Sequence, residues 1–192
     1  ESLSYDFLHC KVEEPGACLM PFYFSLLSNP DNIALSNFSS SAFTTDEGIY
    51  AAFAGRPNFG GDDAAGFSPA TIFSLARAQG YKSAYFMGAS VYFRSKFKTY
   101  INTMQVDEIY GKEQTMDLPP QNTGFPWGDT DARIFEKAFL WLKDRKAEKT
   151  ITILCSINTH PPFYSDLDPP PGIGDTPLTR AFYATDQALE TR

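Results

Sequence analysis

Residues 150–157 read TITILCSI. β-Branched residues and leucine make this segment nearly continuous in apolar character, a pattern typical of a central strand of a parallel sheet that is buried on both faces. An amphipathic helix precedes it, opening at Thr130 or Asp131 and extending to about Lys146. The predicted inner face of that helix consists of Ile134, Phe135, Ala138, Phe139 and Leu142. A helix that leads directly into an apolar strand indicates a layered α/β fold.

Working outward, the same alternation continues along the chain. Strands are predicted at residues 33–38 and 83–87, with a short extended piece at 106–110, and helices at residues 20–28, 46–54, 97–104 and 178–190. One more helix has Ser68 as its N-cap, Pro69 at its first position and Gly80 just past its end, with an apolar stripe of Ile72, Leu75, Ala76 and Ala78. The pattern predicts a layered α/β/α sandwich with a mostly parallel central sheet. In such sheets the ligand crevice lies at the carboxyl ends of the strands.

Length, composition and charge limit the classes of function that the chain could have. The 192 residues suit one domain, and 43% hydrophobic with 20% charged residues is ordinary for a protein with a packed core. A net charge of −7 argues against nucleic-acid binding, because phosphate contacts need clustered lysine and arginine. No run of about 18 apolar residues suggests a membrane span in this stretch, and no signal peptide is visible.

The three cysteines leave at least one thiol unpaired. Cys10 and Cys18 enclose a Pro-Gly turn and would form a local disulfide in an oxidising compartment, but two thiols in a loop are an equally good interpretation. Cys155 lies in the apolar strand. No C-x-x-C or Cys/His pattern indicates zinc.

A pair of threonines, Thr44 and Thr45, lies where a serine-rich loop meets a helix N-terminus. A hydroxyl at this point lies in the positive end of the helix dipole, which favours a neighbouring phosphate. Plain N-capping is the commoner role for a threonine before an acidic first turn, and on spacing alone it is preferred.

Two further clusters follow predicted strands. His160 comes directly after the 150–157 strand and is held between the strand end and two prolines, as an acid/base or substrate-binding group requires; a merely solvated loop histidine is an equal alternative. Tyr92 and Arg94 follow the 83–87 strand and would give an aromatic wall and a guanidinium for a phosphate. For Arg94 alone, pairing with a carboxylate at the protein surface is the commoner arrangement. Phosphate-loop, dinucleotide-binding and G-x-S-x-G motifs are absent from the sequence.

Five segments in order resemble the extracytoplasmic domain of lipoteichoic acid synthases and phosphoglycerol transferases, within the sulfatase-like, alkaline phosphatase superfamily. The pattern T-x-x-G-x-x-A-x-x-x-G-x-P is matched at every fixed position by Thr45, Gly48, Ala51, Gly55 and Pro57. The other similar segments are AQGYKSAYFMG (78–88), VDEIYG (106–111), WGDTDARIFEKAFLWL (127–142) and SINTHPPF (156–163). The Glu1-Ser2 pair is similar to the family's metal-binding Glu-Ser at the end of its first strand.

The resemblance implies a sulfatase-like catalytic domain over residues 1–192, incomplete at both ends. It implies Thr45 as the covalent nucleophile, with Thr44 in reserve because counting from Thr44 breaks the register of the glycines and the alanine. It implies a divalent cation of the Mn²⁺ or Mg²⁺ type held by Glu1, Thr45 and an Asp-His pair expected beyond Arg192. His160, Arg94 and Tyr92 would bind substrate. Met87 departs from the family, where many members have histidine.

The implied reaction transfers a phosphoglycerol-type group from a lipid head group to an acceptor through a phospho-threonine. The implied partners are a phospholipid head group and an envelope glycan or polymer acceptor. The implied location is the extracytoplasmic face of the membrane, anchored through segments outside this chain. Alternatives are a phosphoethanolamine transferase, a phosphodiesterase, or a non-catalytic binding domain that kept the fold. A sulfatase is a weaker one, because Cys18-Leu19-Met20-Pro21 has the wrong spacing for C-x-P-x-R.

Overall fold

The central feature of the computed structural model is a parallel sheet of three strands. The structure describes residues 18–35, 39, 44–56, 70–93, 104–115, 125–171, 173 and 176–190. The strands are β1 (Tyr81–Met87), β2 (Glu108–Tyr110) and β3 (Lys149–Cys155). Their order is β2-β1-β3, and Tyr85 of β1 is the register partner of Ile109 in β2 and of Ile153 in β3. The predicted α/β class with a parallel sheet is therefore confirmed.

Within the described residues, five α-helices accompany the sheet. They are α1 (Pro21–Ser28), α2 (Thr45–Ala54), α3 (Ile72–Ala78), α4 (Asp131–Asp144) and α5 (Pro177–Glu190), with a 3-10 helix at Lys112–Thr115. Four of the predicted helices are thus found within one or two residues of their expected starts, the exception being α3. The helix predicted at 97–104 lies outside the described residues except for Met104, which lies in a turn.

Helices cover both faces of the sheet because successive side chains of β1 point to opposite sides. Ala84 and Phe86 pack under α4 and α5, where the buried cluster includes Phe135 and Trp141. Tyr85 and Met87 face the other way. The rings of Phe86 and Trp141 meet edge to face with centroids 6.2 Å apart. Each such fully buried aromatic side chain contributes about 1.5–3 kcal/mol of hydrophobic free energy.

The opposite face is covered by α2 and α3. Phe53 of α2 lies between Phe73 of α3 and Tyr85 of β1, with ring centroids 4.9 Å and 6.3 Å away. Ile49 of α2 packs against the same cluster as Met87. The described part of the chain therefore has the three layers of the predicted α/β/α sandwich.

Within the described sheet, the position of β3 differs from the prediction. Its apolar sequence predicted a central strand, yet in the described sheet β1 is central and β3 pairs with β1 along its whole length, from Lys149 opposite Tyr81 to Cys155 opposite Met87. The side chains of β3 are half-buried, whereas those at 83–87 of β1 are buried. Within the described sheet, apolar content alone therefore did not identify the central strand.

The start of α3 is also different. Its N-cap is Thr71, whose hydroxyl accepts a hydrogen bond from the N–H of Ser74 at 3.2 Å, while the Ser74 hydroxyl accepts from the N–H of Thr71 at 2.8 Å. Ser68 and Pro69 lie outside the described residues and are not the cap. Of the predicted stripe only Ala76 is buried; Leu75 is 62% exposed, and Phe73, which was not predicted, completes the buried face. Gly80 lies just past the helix end, as predicted, and has a positive φ of 78°.

The strand predicted at residues 33–38 is not found in its described part. Residues 33–35 belong to no strand, and residues 36–38 lie outside the described part of the chain. Ile33 and Leu35 are 92% and 71% exposed, so their apolar side chains contribute nothing to the core here.

Helix α1 begins at a proline, where the missing N–H costs nothing. Its next two N–H groups, of Phe22 and Tyr23, donate to the carboxylate of Asp186 in α5 at 3.0 Å and 2.7 Å. Asp186 is fully buried. Burial raises the pKa of this carboxyl, although the two hydrogen bonds act in the opposite direction. The contact joins α1 to α5, and so to the helical layer that α4 and α5 form.

Cysteine chemistry is resolved at two positions. Cys18 is disulfide-bonded, to a partner outside the described residues, and Cys155 at the end of β3 takes part in no disulfide. None of the helices in the described ranges has the length and apolar character needed to cross a lipid bilayer.

Candidate active site

Loops from two strands and the start of α4 interlock at the carboxyl ends of the sheet. Residues 88–93 follow β1 and residues 156–164 follow β3. The N–H of Asp129 donates to the carbonyl of Gly88 at 2.9 Å, and Ala89 forms an isolated antiparallel bridge with Gly128. The segment that leads into α4 is therefore fixed against the β1 loop.

The turn that carries His160 is held by a chain of backbone hydrogen bonds. The N–H of His160 donates to the carbonyl of Ile157 at 2.9 Å, and the N–H of Phe163 donates to the carbonyl of His160 at 2.8 Å. The N–H of Tyr164 donates to the carbonyl of Asn158 at 3.0 Å, which closes the loop. His160 itself is half-buried.

The imidazole of His160 has a defined tautomer. Its Nδ1 lies 2.7 Å from the carbonyl oxygen of Pro161, and because a carbonyl can only accept, Nδ1 carries a hydrogen. Nε2 then carries a hydrogen only when the ring is cationic. The indole N–H of Trp127 donates to the same carbonyl at 2.7 Å, and the two rings meet edge to face with centroids 4.7 Å apart.

Trp127 links His160 to the β1 loop. The ring of Phe93 meets the indole edge to face with centroids 5.8 Å apart. Phe93 is 47% exposed and Tyr92, next to it, is 66% exposed. The three side chains Phe93, Trp127 and His160 form an aromatic cluster at the carboxyl edge, with a polar ring nitrogen on His160.

The β1 loop is anchored by a carboxylate from the 3-10 helix. Glu113 accepts hydrogen bonds from the hydroxyl of Ser90 and from the N–H of Val91, the latter at 3.1 Å. Although burial raises the pKa of Glu113, these hydrogen bonds outweigh it and hold the pKa below its usual value. The loop that presents Tyr92 and Phe93 is therefore fixed by an ionised carboxylate.

A second, fully buried carboxylate lies behind the His160 turn. Asp131, the first residue of α4, accepts hydrogen bonds from the N–H groups of Ile157 and Asn158 at 2.6 Å and 3.4 Å, both on Oδ1. Its Oδ2 accepts from the hydroxyl of Thr185 in α5 at 2.6 Å. Burial raises the pKa of Asp131 to about 6, against the lowering effect of these bonds.

The raised pKa of Asp131 predicts a pH-dependent stability. A folded-state pKa above the reference of 3.8 means that its contribution is fully present below about pH 4 and is lost as pH rises through about 6. At about 1.4 kcal/mol per pKa unit, the difference between about 6 and 3.8 comes to at most roughly 3 kcal/mol. We expect the free energy of unfolding of Asp131→Asn, relative to the wild type, to increase by up to this amount between pH 4 and pH 7.

Denaturant titrations of both proteins at intervals of one pH unit measure this difference. Carboxylates present in both proteins cancel in the comparison. A difference that is constant with pH, or that decreases as pH rises, would contradict the prediction.

Thr44 and Thr45 have different roles at the start of α2. Thr44 is the N-cap, and its hydroxyl accepts from the N–H of Glu47 at 3.4 Å. Thr45 is the first helical residue and is half-buried. The capping role, which was the alternative for this threonine pair, is thus performed by Thr44 and not by Thr45.

The contacts of α2 place it along one face of the sheet. Ala54, its last residue, packs in the cluster that contains Ile151 near the start of β3. Ile49 and Phe53 pack both in that cluster and in the one that contains Met87 and Cys155, the last residues of β1 and β3. Helix α2, which Thr45 begins, therefore packs against the part of the sheet that includes the strand ends.

A metal site is not complete within the described residues. No group of three or more His, Cys, Asp or Glu side chains there is arranged to hold a metal ion. The hydroxyl of Thr45 is a hard oxygen donor that suits Mn²⁺ or Mg²⁺ as one ligand. Of the two predicted ligands in this chain, Thr45 is described and its hydroxyl fits such an ion. The other, Glu1, lies outside the described residues.

Of the predicted site residues, His160 and Tyr92 lie on the two loops at the carboxyl edge. Thr45 begins α2, which packs against the cluster that contains the last residues of β1 and β3. Arg94 lies outside the described residues. Their roles stay predictions. The sequence analysis did not assign Trp127 or Asp131 to the site. The available signal was the Trp-Gly-x-x-Asp pattern of residues 127–131, which was interpreted only as the start of a helix.

The described part of the chain is thus a parallel sheet between two helical layers, with a threonine at a helix N-terminus and a histidine turn after a strand. The sequence model of the Sulfatase family matches residues 1–181, so the chain belongs to this family. No curated protein matches the sequence.

Two solved structures share the fold. The lipoteichoic acid synthase LtaP from Listeria monocytogenes superposes with a TM-score of 0.72 over 90% of this chain, at 16% sequence identity. A protein in the alkaline phosphatase superfamily from Vibrio parahaemolyticus superposes with a TM-score of 0.55 over 77% of this chain, at 22% identity. The chain spans less than half the length of these proteins, 45% and 38% respectively.

Proposed function

We propose that this chain is part of the catalytic domain of a metal-dependent transferase that moves a phosphoglycerol-type group from a lipid head group to an acceptor through a phospho-threonine at Thr45. The observation that carries the proposal is the division of labour between the two threonines. Thr44 caps α2, which leaves Thr45 as the first residue of a helix that packs against the cluster containing Met87 and Cys155, the last residues of β1 and β3. The family match and the likeness to a lipoteichoic acid synthase support the reaction class.

In the proposed first step, Oγ of Thr45 attacks the phosphorus of the lipid head group. A bond forms between Oγ and phosphorus, the bond from phosphorus to the diacylglycerol oxygen breaks, and that oxygen takes up a proton as diacylglycerol leaves. In the second step the oxygen of an acceptor hydroxyl attacks the same phosphorus and loses its proton. The bond from phosphorus to Oγ of Thr45 breaks, and Oγ takes up a proton, which regenerates the threonine hydroxyl. A divalent cation held by Glu1 and Thr45 would favour loss of the threonine hydroxyl proton and would offset phosphate charge.

The remaining groups act on the substrate. Positive backbone partial charge at the start of α2 favours the phosphate beside Thr45. His160 would bind the phosphate or give a proton from Nε2 to the leaving oxygen, since Nδ1 is committed to the Pro161 carbonyl. Arg94 would offset phosphate charge, and Tyr92 would line the pocket. We place the reaction at the extracytoplasmic face of a membrane, with an envelope glycan or polymer as acceptor.

The covalent intermediate gives a direct test. We expect the full-length protein, incubated with Mn²⁺ and phosphatidylglycerol vesicles without acceptor, to gain a phosphoglycerol group on Thr45, which peptide mass spectrometry would locate. Vesicles of phosphatidylethanolamine are the matched control.

Each other outcome reassigns the function. An adduct of phosphoethanolamine alone would indicate the related transferase, and head-group release without any adduct would indicate a phosphodiesterase. An adduct on Thr44 would move the nucleophile by one residue. The absence of both release and adduct would indicate a binding domain that keeps the fold.

A further inference from the structure

The start of α4 and the turn after β3 hold each other through a reciprocal pair of residues. The carboxylate of Asp131 accepts from the N–H groups of Ile157 and Asn158. In return, Oδ1 of Asn158 accepts from the N–H of Asp131 at 3.1 Å. Asp131 is fully buried and Asn158 is 1% exposed.

The pair satisfies a backbone donor at the start of α4. Thr130 occupies the N-cap position of α4 but makes no side-chain capping bond, and within the described residues its buried hydroxyl has no hydrogen-bond partner. Asn158, 27 residues further along the chain, accepts from the N–H of Asp131, one of the first N–H groups of the helix, which have no acceptor within the helix. The start of α4 is thus tied to this one turn.

The hydrogen bonds continue from Asp131 to His160. The carboxylate fixes the N–H of Ile157, and the carbonyl of the same residue accepts the N–H of His160 at 2.9 Å. The α4 side also approaches the imidazole directly, because Trp127, four residues before Asp131, contacts the His160 ring and donates to the Pro161 carbonyl. His160 is therefore oriented by two elements that meet at Asp131.

We propose that Asp131 is a positioning residue for the reaction: through the backbone of Ile157 and Asn158, its buried carboxylate holds the His160 imidazole in one orientation at the carboxyl edge of the sheet. This inference rests on the proposed function, in which His160 contacts the substrate. Burying a carboxylate costs free energy, and the three hydrogen bonds that it accepts offset that cost. The free-energy cost of burying this carboxylate arises next to the turn that carries His160, whose geometry the reaction would require.

The test uses three variants of the full-length protein. Asp131→Ala removes the acceptor. Asp131→Asn keeps Oδ1 for the two backbone N–H groups and places an amide next to Thr185, whose hydroxyl oxygen is also an acceptor. Asp186→Ala is the matched control, because Asp186 is also fully buried and also accepts two backbone N–H groups, but at the start of α1.

Two measurements are made on each variant. The first is the fluorescence of Trp127, isolated by subtracting the spectrum of the same variant carrying Trp127→Phe; it needs neither substrate nor metal. The second is kcat and KM for phosphoglycerol transfer.

For Asp131→Ala we expect a changed Trp127 emission and a fall in kcat of about 10- to 100-fold, because a misplaced side chain costs about that much. Asp131→Asn should restore both, and Asp186→Ala should lower stability while leaving both unchanged. If Asp131→Ala does not fold, Asn158→Ala breaks the other half of the pair and should change emission and kcat in the same direction.

A wild-type emission and kcat in Asp131→Ala would overturn the inference, as would the same changes in Asp186→Ala. Failure of the proposed function is distinguishable. A wild-type protein without transferase activity would overturn the function, while an unchanged emission in Asp131→Ala would still refute the positioning of the turn.

Discussion

Replacement of Thr45 by alanine is expected to reduce turnover by a factor on the order of 10⁴ or more, because the covalent route has no other hydroxyl at its attacking position. The fold should be unaffected. Thr45 is the first residue of α2 and does not cap it, and alanine has a higher helix propensity than threonine. We expect the free energy of unfolding to change by less than about 1 kcal/mol, while the phosphoglycerol adduct disappears.

Thr44→Ala is the matched control, since it removes a neighbouring hydroxyl of the same chemistry. It should cost about 1 kcal/mol of stability through loss of the acceptor for the Glu47 N–H, and turnover should remain close to that of the wild type. Steady-state transfer assays and denaturant titrations of both variants measure the contrast. Full activity in Thr45→Ala would refute the covalent mechanism, and a reversed pair of phenotypes would make Thr44 the nucleophile.

Much of the fold could be predicted because its elements have strong local patterns. The TITILCSI segment predicted the strand β3, and the periodicity after Thr130 predicted the helix α4. The buried residues Ile134, Phe135 and Ala138 of α4 lie on the predicted face. Both patterns arise from residues a few positions apart, which a single sequence contains in full. The same is true of His160 and the two threonines as candidate residues, because each follows or opens an element that periodicity identifies.

Predictions failed where a tertiary contact selected between local alternatives. Ser68 and Pro69 formed an acceptable helix start, but the observed start is Thr71, whose hydroxyl donates to the carbonyl of Met104 at 2.6 Å. That bond joins residues 33 positions apart, and Thr71 is fully buried. The buried face of α3 includes Phe73, which the predicted stripe omitted. No local pattern contains this information.

The connections within the candidate site could not be predicted for the same reason. The Trp127 indole donates to Pro161 across 34 positions, and Asp131 binds the N–H groups of residues 26 and 27 positions away. In the sequence, Asp131 looks like any acidic residue in a first helical turn, where it would complement the dipole at the surface. Its complete burial is a property of the packing of α4 against α5 and β3.

The close approach of two backbone segments at Gly128 and Gly88 predicts the second large effect, this time on stability. A Cβ at Gly128 would lie 2.2 Å from the carbonyl oxygen of Gly88, and the φ of Gly128 is 152°, which other residues rarely adopt. Because the obstructing atom belongs to the backbone, it has no rotamer that relieves the overlap. We expect Gly128→Ala to lower the free energy of unfolding by about 3 kcal/mol or more.

Gly80→Ala separates strain from overlap. Gly80 has a φ of 78°, but a Cβ there would meet nothing within 4 Å, so this variant bears only the cost of a left-handed conformation, about 1 kcal/mol. Denaturant titrations of the two variants give the difference. Because the bridge between Ala89 and Gly128 also brings Trp127 to Phe93, Gly128→Ala should change the Trp127 emission and Gly80→Ala should not. Equal losses of stability in the two variants would mean that the segments separate at little cost, and the fixed geometry inferred for the carboxyl edge would then be wrong.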